Sequence, residues 1–115
     1  MSADCIFCKI AGGEIPAKQL YRDEEVLAIE DVNPQAPTHV LVIPVEHHDN
    51  IATLSDADDG TLVGKLFDVA KRIGRQSGGD DGFRLVVNTG PYGGQTVNHL
   101  HVHVLAGRPM TWPPG

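Results

Sequence analysis

The chain has 115 residues, which fits one domain spanning 1–115, and 41% of them are hydrophobic, enough to bury a real core. Its net charge of −6 leaves no basic stripe for polymeric nucleic acid, although a small anion can still bind at a locally positive site. No run approaches the roughly 18 apolar residues of a membrane span. The opening "MSADCIFCKIAGG" also lacks a positive stretch followed by an apolar block, so the cytoplasm is the expected compartment.

In chain order, "IFCKIAGGEIP" predicts a short helical turn ended by Gly12 and Gly13. "KQLYRD" and "EVLAIED" predict strands, the second stopped by the two prolines of "VNPQAP". "THVLVIP" is β-branched and apolar on both faces, as expected of a central strand. Ser55 followed by Asp58 resembles a capping box, with Asp in place of Glu. Leu62, Val63, Leu66, Phe67, Ala70 and Ile73 then recur at helical spacing. Asp56, Asp58 and Asp59 at the start of this helix, and Lys71, Arg72 and Arg75 at its end, suit the helix dipole. Gly78 and Gly79 are expected to close it. "FRLVVN" and "HLHVHVLAG" add two strands. One amphipathic helix covering one sheet gives an α+β class with a mainly antiparallel sheet.

Half of the six histidines fall in "NHLHVHVL". Alternation along a strand puts His99, His101 and His103 on one face and Leu100, Val102 and Val104 on the other, against the helix. Three imidazoles in register are hard to account for as packing, since each needs its own hydrogen-bond partners. Two chemical readings follow. The imidazoles ligate a metal such as zinc, or one is a nucleophile and the others hold its tautomer. Just upstream, "GPYGGQT" places Gly90, Gly93 and Gly94 where backbone N–H groups can converge on an anion, with the Thr96 hydroxyl as a further donor. Phosphate sites use such a loop and metal sites do not need one.

These segments resemble a known family. "HLHVHVL" matches the histidine triad motif. "CIFCKI", "EIPAK", "DVNPQAPTHVLVIP", "GGQTVNHLHVHVL" and the terminal "WPPG" are similar to the Hint branch of histidine triad nucleotide-binding proteins, over nearly the whole chain. The resemblance implies a five-stranded antiparallel sheet with two helices, pairing into a ten-stranded sheet in a homodimer. It implies hydrolysis of purine nucleoside phosphoramidates, AMP or GMP linked to an amine, through a covalent nucleotidyl-histidine, with no cofactor required for catalysis. A non-catalytic nucleotide-binding or zinc-dependent interaction module is the alternative.

Carried over residue by residue, the resemblance makes His101 the nucleophile and His39 the histidine that orients it. His103 donates to phosphate oxygens, and His99 completes the polar site. Thr96 stands where serine is usual. Asn88, Gly94, Gln95 and the amide of Val97 match phosphate or ribose contacts. Asp31 matches the carboxylate that binds both ribose hydroxyls. Ile6, Phe7, Ile10, Ile15, Ile29 and Val32 match the apolar base slot, and Trp112 a residue near the partner's site. At Glu30 many relatives carry histidine.

Cys5 and Cys8 are too close and too few for a disulfide framework. "CIFC" has the two-residue gap of a zinc knuckle. Some relatives hold structural zinc through this pair, and their other ligands match His47, or His48 in a shifted register, and His99. Two packed thiols are the alternative, and a redox pair is a third, weaker for want of a surrounding βαβ pattern.

Overall fold

The structure, a computed structural model, describes residues 4–55 and 60–115. Helix α1 covers Ile6–Ala11, and strands β1, β2 and β3 cover Gln19–Arg22, Val26–Glu30 and Thr38–Pro44. Helix α2 covers Thr61–Gly78 and runs into a single 3-10 turn. Strands β4 and β5 cover Phe83–Val86 and Val102–Ala106. The five strands form one sheet in the order β1-β2-β3-β5-β4, antiparallel throughout. The α+β expectation holds, and β3 is central, as its two apolar faces require.

Each face of the sheet carries its own core. Val26, Ala28, Val40, Val42, Leu100, Val102 and Val104 pack under Leu66, Val69, Ala70 and Ile73 of α2. On the other face Leu27, Ile29, Leu41 and Ile43 pack against Cys5, Phe7, Cys8, Ile10 and Ala11 of the α1 region. The short helix is thus held by tertiary burial, since six residues are too few to be stable alone. Cys5 serves as its N-cap, and its sulfur accepts from the Cys8 amide. Gly12 ends the helix, as expected.

Helix α2 departs from expectation at its start. It begins at Thr61 behind Gly60, which has φ 84° and makes no side-chain cap bond. Its first turn holds no acidic residue. Ser55 precedes the helix, and Asp56, Asp58 and Asp59 lie outside the described residues. The helix ends at Gly78 and Gly79 as expected. Its bare position Gly74 admits β4: a Cβ there would come within 2.4 Å of the Phe83 ring.

The triad strand is the other departure. The β5 ladder starts only at Val102, so His99, Leu100 and His101 run ahead of it in irregular backbone. The reason is local. The Leu100 amide donates to the His48 carbonyl instead of a strand, and the His99 carbonyl accepts from the His101 ring. Alternation survives regardless: Leu100, Val102 and Val104 face α2, and the three histidines face the opposite side.

Candidate functional site

The triad face carries two adjoining clusters that share the stretch from His99 to His103. The first is built on His101. Its Nδ1 lies 2.7 Å from the His99 carbonyl. A carbonyl only accepts, so Nδ1 donates, and a neutral His101 keeps a lone pair on Nε2. Nε2 has no hydrogen-bond partner among the described residues. No buried side-chain nitrogen or oxygen among the described residues lacks one, so this atom meets the open face of the site. The ring is otherwise buried, edge-on to Phe7 at 5.3 Å and to His103 at 4.9 Å.

His103 is fixed in the opposite sense. The backbone N–H of Gln35 donates to His39 Nδ1 at 3.0 Å, so the proton of a neutral His39 is on Nε2. That Nε2 lies 2.9 Å from His103 Nδ1 and 3.3 Å from Asp31 Oδ2. His103 therefore accepts at Nδ1 and carries its own proton on Nε2. Burial, reinforced by the neighbouring His101 and His39, lowers the His103 pKa to about 4. Burial also lowers that of His39, against the opposing pull of Asp31. Both rings are thus neutral at pH 7. Side by side stand one imidazole offering a lone pair and one offering an N–H.

His39, expected to orient His101, touches His103 instead. The group that fixes His101 is the His99 backbone carbonyl, which side-chain motifs do not reveal. The Gln35 amide was equally invisible.

The second cluster joins Cys5, Cys8, His47 and His99, whose ligand atoms all lie within 4.8 Å of one another. His99 donates from Nε2 to the Pro44 carbonyl at 2.8 Å, and His47 donates from Nε2 to Asp49 Oδ1 at 2.8 Å. Both Nδ1 lone pairs therefore point into the cluster, 3.1 Å apart. Cys5 Sγ lies 3.2 Å and Cys8 Sγ 3.6 Å from His99 Nδ1, with Cys8 Sγ 3.3 Å from His47 Nδ1. Two lone pairs and two sulfurs converging in this way make a ready set of donors for a cation. Zn–N of about 2.0–2.1 Å and Zn–S of about 2.3 Å give tetrahedral edges of roughly 3.3–3.8 Å, close to these separations. The donor set fits zinc, and the carboxylate and carbonyl behind the imidazoles are the outer partners such a site uses. Burial pushes the Cys5 thiol up and lowers the His99 pKa to about 4. Neutral His99 is ready to ligate, whereas a thiolate here needs a cation beside it. His47 occupies the fourth position, and His48 faces Glu46 instead, at 4.0 Å. Asp49 went unnoticed in the sequence, although its two-residue spacing from His47 was the available signal.

The remaining expected residues divide. Asp31 is at the site, with Oδ1 accepting from the Asn33 amide and Oδ2 beside His39. Asn88 donates to the Gly93 carbonyl at 2.6 Å and so braces the glycine loop. Gln95 is wholly engaged in holding that loop. It donates to the Asp49 and Val97 carbonyls and accepts from the Gly90 amide, so its side chain has a structural task already. Gly94, with φ 80°, closes the turn on Pro91. Thr96 and Val97 line a cleft of about 370 Å³ together with Ile6 and His47. Of the apolar base slot, Phe7, Ile10 and Ile29 are core residues, with Ile15 packed on their cluster. Ile6 is half-exposed, and Val32, 98% exposed, belongs to neither core. Trp112 is 82% exposed and far from packed.

Among the described residues no helix is long and apolar enough to cross a membrane. A family model described as HIT domain matches residues 12–110. A 14 kDa zinc-binding protein of Zea mays is 50% identical over 112 residues, covering 96% of this chain and 87% of that protein. The Adenylylsulfatase HINT1 of Arabidopsis thaliana is 45% identical over 112 residues, covering 96% of this chain and 76% of that protein. A solved HIT family hydrolase from Legionella pneumophila matches the fold with TM-score 0.92 at 48% identity, covering 97% of this chain and all 100% of that one.

Proposed function

We propose, from the premise that this chain belongs to the HIT domain family on its Hint branch, that it hydrolyses purine nucleoside 5′-phosphoramidates by two displacements at phosphorus. The observation that carries the reading is the His101 hydrogen bond to the His99 carbonyl, which leaves Nε2 as a free nucleophile. In the first step the Nε2 lone pair attacks the α-phosphorus, and the P–N bond to the amine breaks. The departing nitrogen takes up one proton, relayed from solvent at the open mouth with the Thr96 hydroxyl nearby. His101 then holds the nucleotide through a P–Nε2 bond. In the second step water attacks phosphorus and gives up one proton. The P–Nε2 bond breaks, the nucleotide leaves, and His101 is neutral again.

The other residues have complementary tasks. His103, with its proton on Nε2, donates to the non-bridging oxygens where negative charge builds up. His39 holds that tautomer. Asp31 accepts from the ribose hydroxyls while its second oxygen braces the following turn. The amides of the loop around Gly94 and Val97 take phosphate oxygens, and the purine lies over Ile6 and Val32, whose exposure leaves them free for a ligand. The cluster of Cys5, Cys8, His47 and His99 would hold zinc in a structural role, tying the α1 segment to the triad segment. A homodimer is part of the reading. Strand β4 is an open edge, and Phe83 on it and Trp112 beyond it are exposed.

The leaving group decides between two chemistries that share the first displacement. A relative is named an adenylylsulfatase, and there sulfate would leave in place of an amine. Steady-state kinetics with adenosine and guanosine phosphoramidates, beside adenosine 5′-phosphosulfate, test the proposal. Turnover of the phosphoramidates with amine and nucleotide released one to one is expected. Binding of nucleotides without turnover of any of them would leave the non-catalytic module.

A further inference from the structure

We propose that His99 makes the metal cluster a positioning device for the nucleophile, so that metal occupancy sets the orientation of His101 although the metal touches no reacting atom. The inference rests on the reading of His101 as nucleophile and goes beyond it.

Two physical links join the sites. The first is His99 itself. Its side chain is fully buried and held at both ring nitrogens, by the Pro44 carbonyl on Nε2 and the cluster on Nδ1. A ring fixed at both ends fixes its own backbone. The carbonyl of that same residue is the acceptor for His101 Nδ1–H. If the ring moves, the carbonyl moves, and His101 loses the bond that selects its tautomer. The second link is Phe7. It lies between Cys5 and Cys8 in sequence, and its ring packs edge-on against both His99, at 5.7 Å, and His101, at 5.3 Å. The first turn of α1, which with its N-cap bears the two sulfurs, thus also carries the wall behind the nucleophile.

The filled cluster satisfies the two facing Nδ1 lone pairs. Emptied, those atoms sit 3.1 Å apart with only the weakly donating Cys5 and Cys8 thiols to face them, and one imidazole is free to turn. His99 has the less room to do so without disturbing its neighbours. Relaxation there is passed to the His101 bond, whereas His99 makes no hydrogen bond to Asp31 or the glycine loop, which meets the cluster only behind His47, through Asp49 and Gln95.

The test compares zinc-loaded protein, chelator-stripped protein and His47→Gln, which removes one ligand from a partly exposed position. Nitrogen NMR of ¹⁵N-histidine-labelled protein reads the His101 tautomer directly. Calorimetry gives AMP affinity, and kinetics give kcat and KM on an adenosine phosphoramidate. We expect a single Nδ1–H tautomer in the zinc form and a mixture in the other two. We expect kcat to fall roughly tenfold or more, the usual effect of disturbing an outer shell, with AMP affinity and KM changed by less than about threefold. A pure Nδ1–H tautomer and parental kcat in stripped protein would overturn the proposal. So would failure of the chain to take up zinc, or equal losses of kcat and AMP affinity, the mark of general loosening. If His47→Gln does not fold, the stripped parent carries the comparison. If zinc-loaded protein turns over no phosphoramidate, the functional reading fails, and the tautomer comparison still decides the coupling.

Discussion

His39 donates from Nε2 to Nδ1 of His103 across 2.9 Å, and the Gln35 amide behind it fixes the direction of that bond. The pair thereby converts a backbone N–H on an exposed turn into a defined proton on the far nitrogen of His103. Asp31 closes the arrangement from the side, 3.3 Å from the same His39 atom.

Asp31→Ala is expected to weaken ribonucleotide binding about tenfold or more, since hydrogen bonds to a charged acceptor contribute roughly 1.5–3 kcal/mol. Discrimination against deoxyribonucleotides should largely vanish with it. Calorimetry with AMP and dAMP reads both, and a variant that kept the parental preference would place the ribose elsewhere.

The pH dependence of stability follows from His103. Its folded pKa is about 4 against an ordinary 6.5, because burial opposes its charge. Above pH 6.5 the imidazole is neutral in both folded and unfolded chains, and its contribution is fully present. Between 6.5 and 4 the unfolded chain binds a proton that the folded site refuses, so stability falls as the pH falls. Melting temperatures of parent and His103→Asn should therefore diverge in that window, with the variant the flatter. Parallel curves would show that His103 takes up its proton as readily in the folded chain as in the unfolded one.

Gly93 is tight against the start of its loop. A Cβ there would lie 2.3 Å from the Thr89 carbonyl oxygen and 2.8 Å from its amide nitrogen, and backbone cannot step aside cheaply. Gly93→Ala is expected to displace the Gly93 carbonyl from Asn88 and cost about 1–3 kcal/mol of stability, as overpacking does. Nucleotide affinity should fall with it. Denaturant unfolding and AMP titration of the variant check both, and an unchanged AMP affinity would remove the loop from the phosphate site.

Removal of the metal should lower the melting temperature, because the cluster ties the α1 segment to the triad segment and to the loop after β3. Melting curves with and without EDTA, beside metal analysis, measure this. Folded protein carrying well under one zinc per chain, even after refolding with zinc, would leave Cys5 and Cys8 as packed thiols.

Much of this was legible because side-chain patterns carry it. Alternation placed Leu100, Val102 and Val104 toward α2, and the helical spacing from Leu62 to Ile73 named most of the residues that cover them. The side chains of Cys5, Cys8, His47 and His99, which the resemblance grouped, lie together. What stayed hidden depends on backbone atoms. The His99 carbonyl, the Gln35 amide and the Pro44 carbonyl set the tautomers of His101, His39 and His99, and any residue type supplies such groups. Gln95 looked like a ligand contact because its type and loop suited one, but three bonds within the protein occupy it. The late start of α2 was missed because Ser55 offers a cap chemically, whereas the chain begins its helix behind Gly60.

The proposed reaction requires His101 Nε2 to become covalently bonded to phosphorus. Protein mixed with an adenosine phosphoramidate, quenched in alkali to preserve the P–N bond and digested for mass spectrometry, tests it most directly. One adenylyl group on the peptide holding residues 99–103, assigned by fragmentation to His101 and absent from His101→Ala, is the predicted result. An adenylyl group on any other residue, or undiminished turnover by His101→Ala, would contradict it.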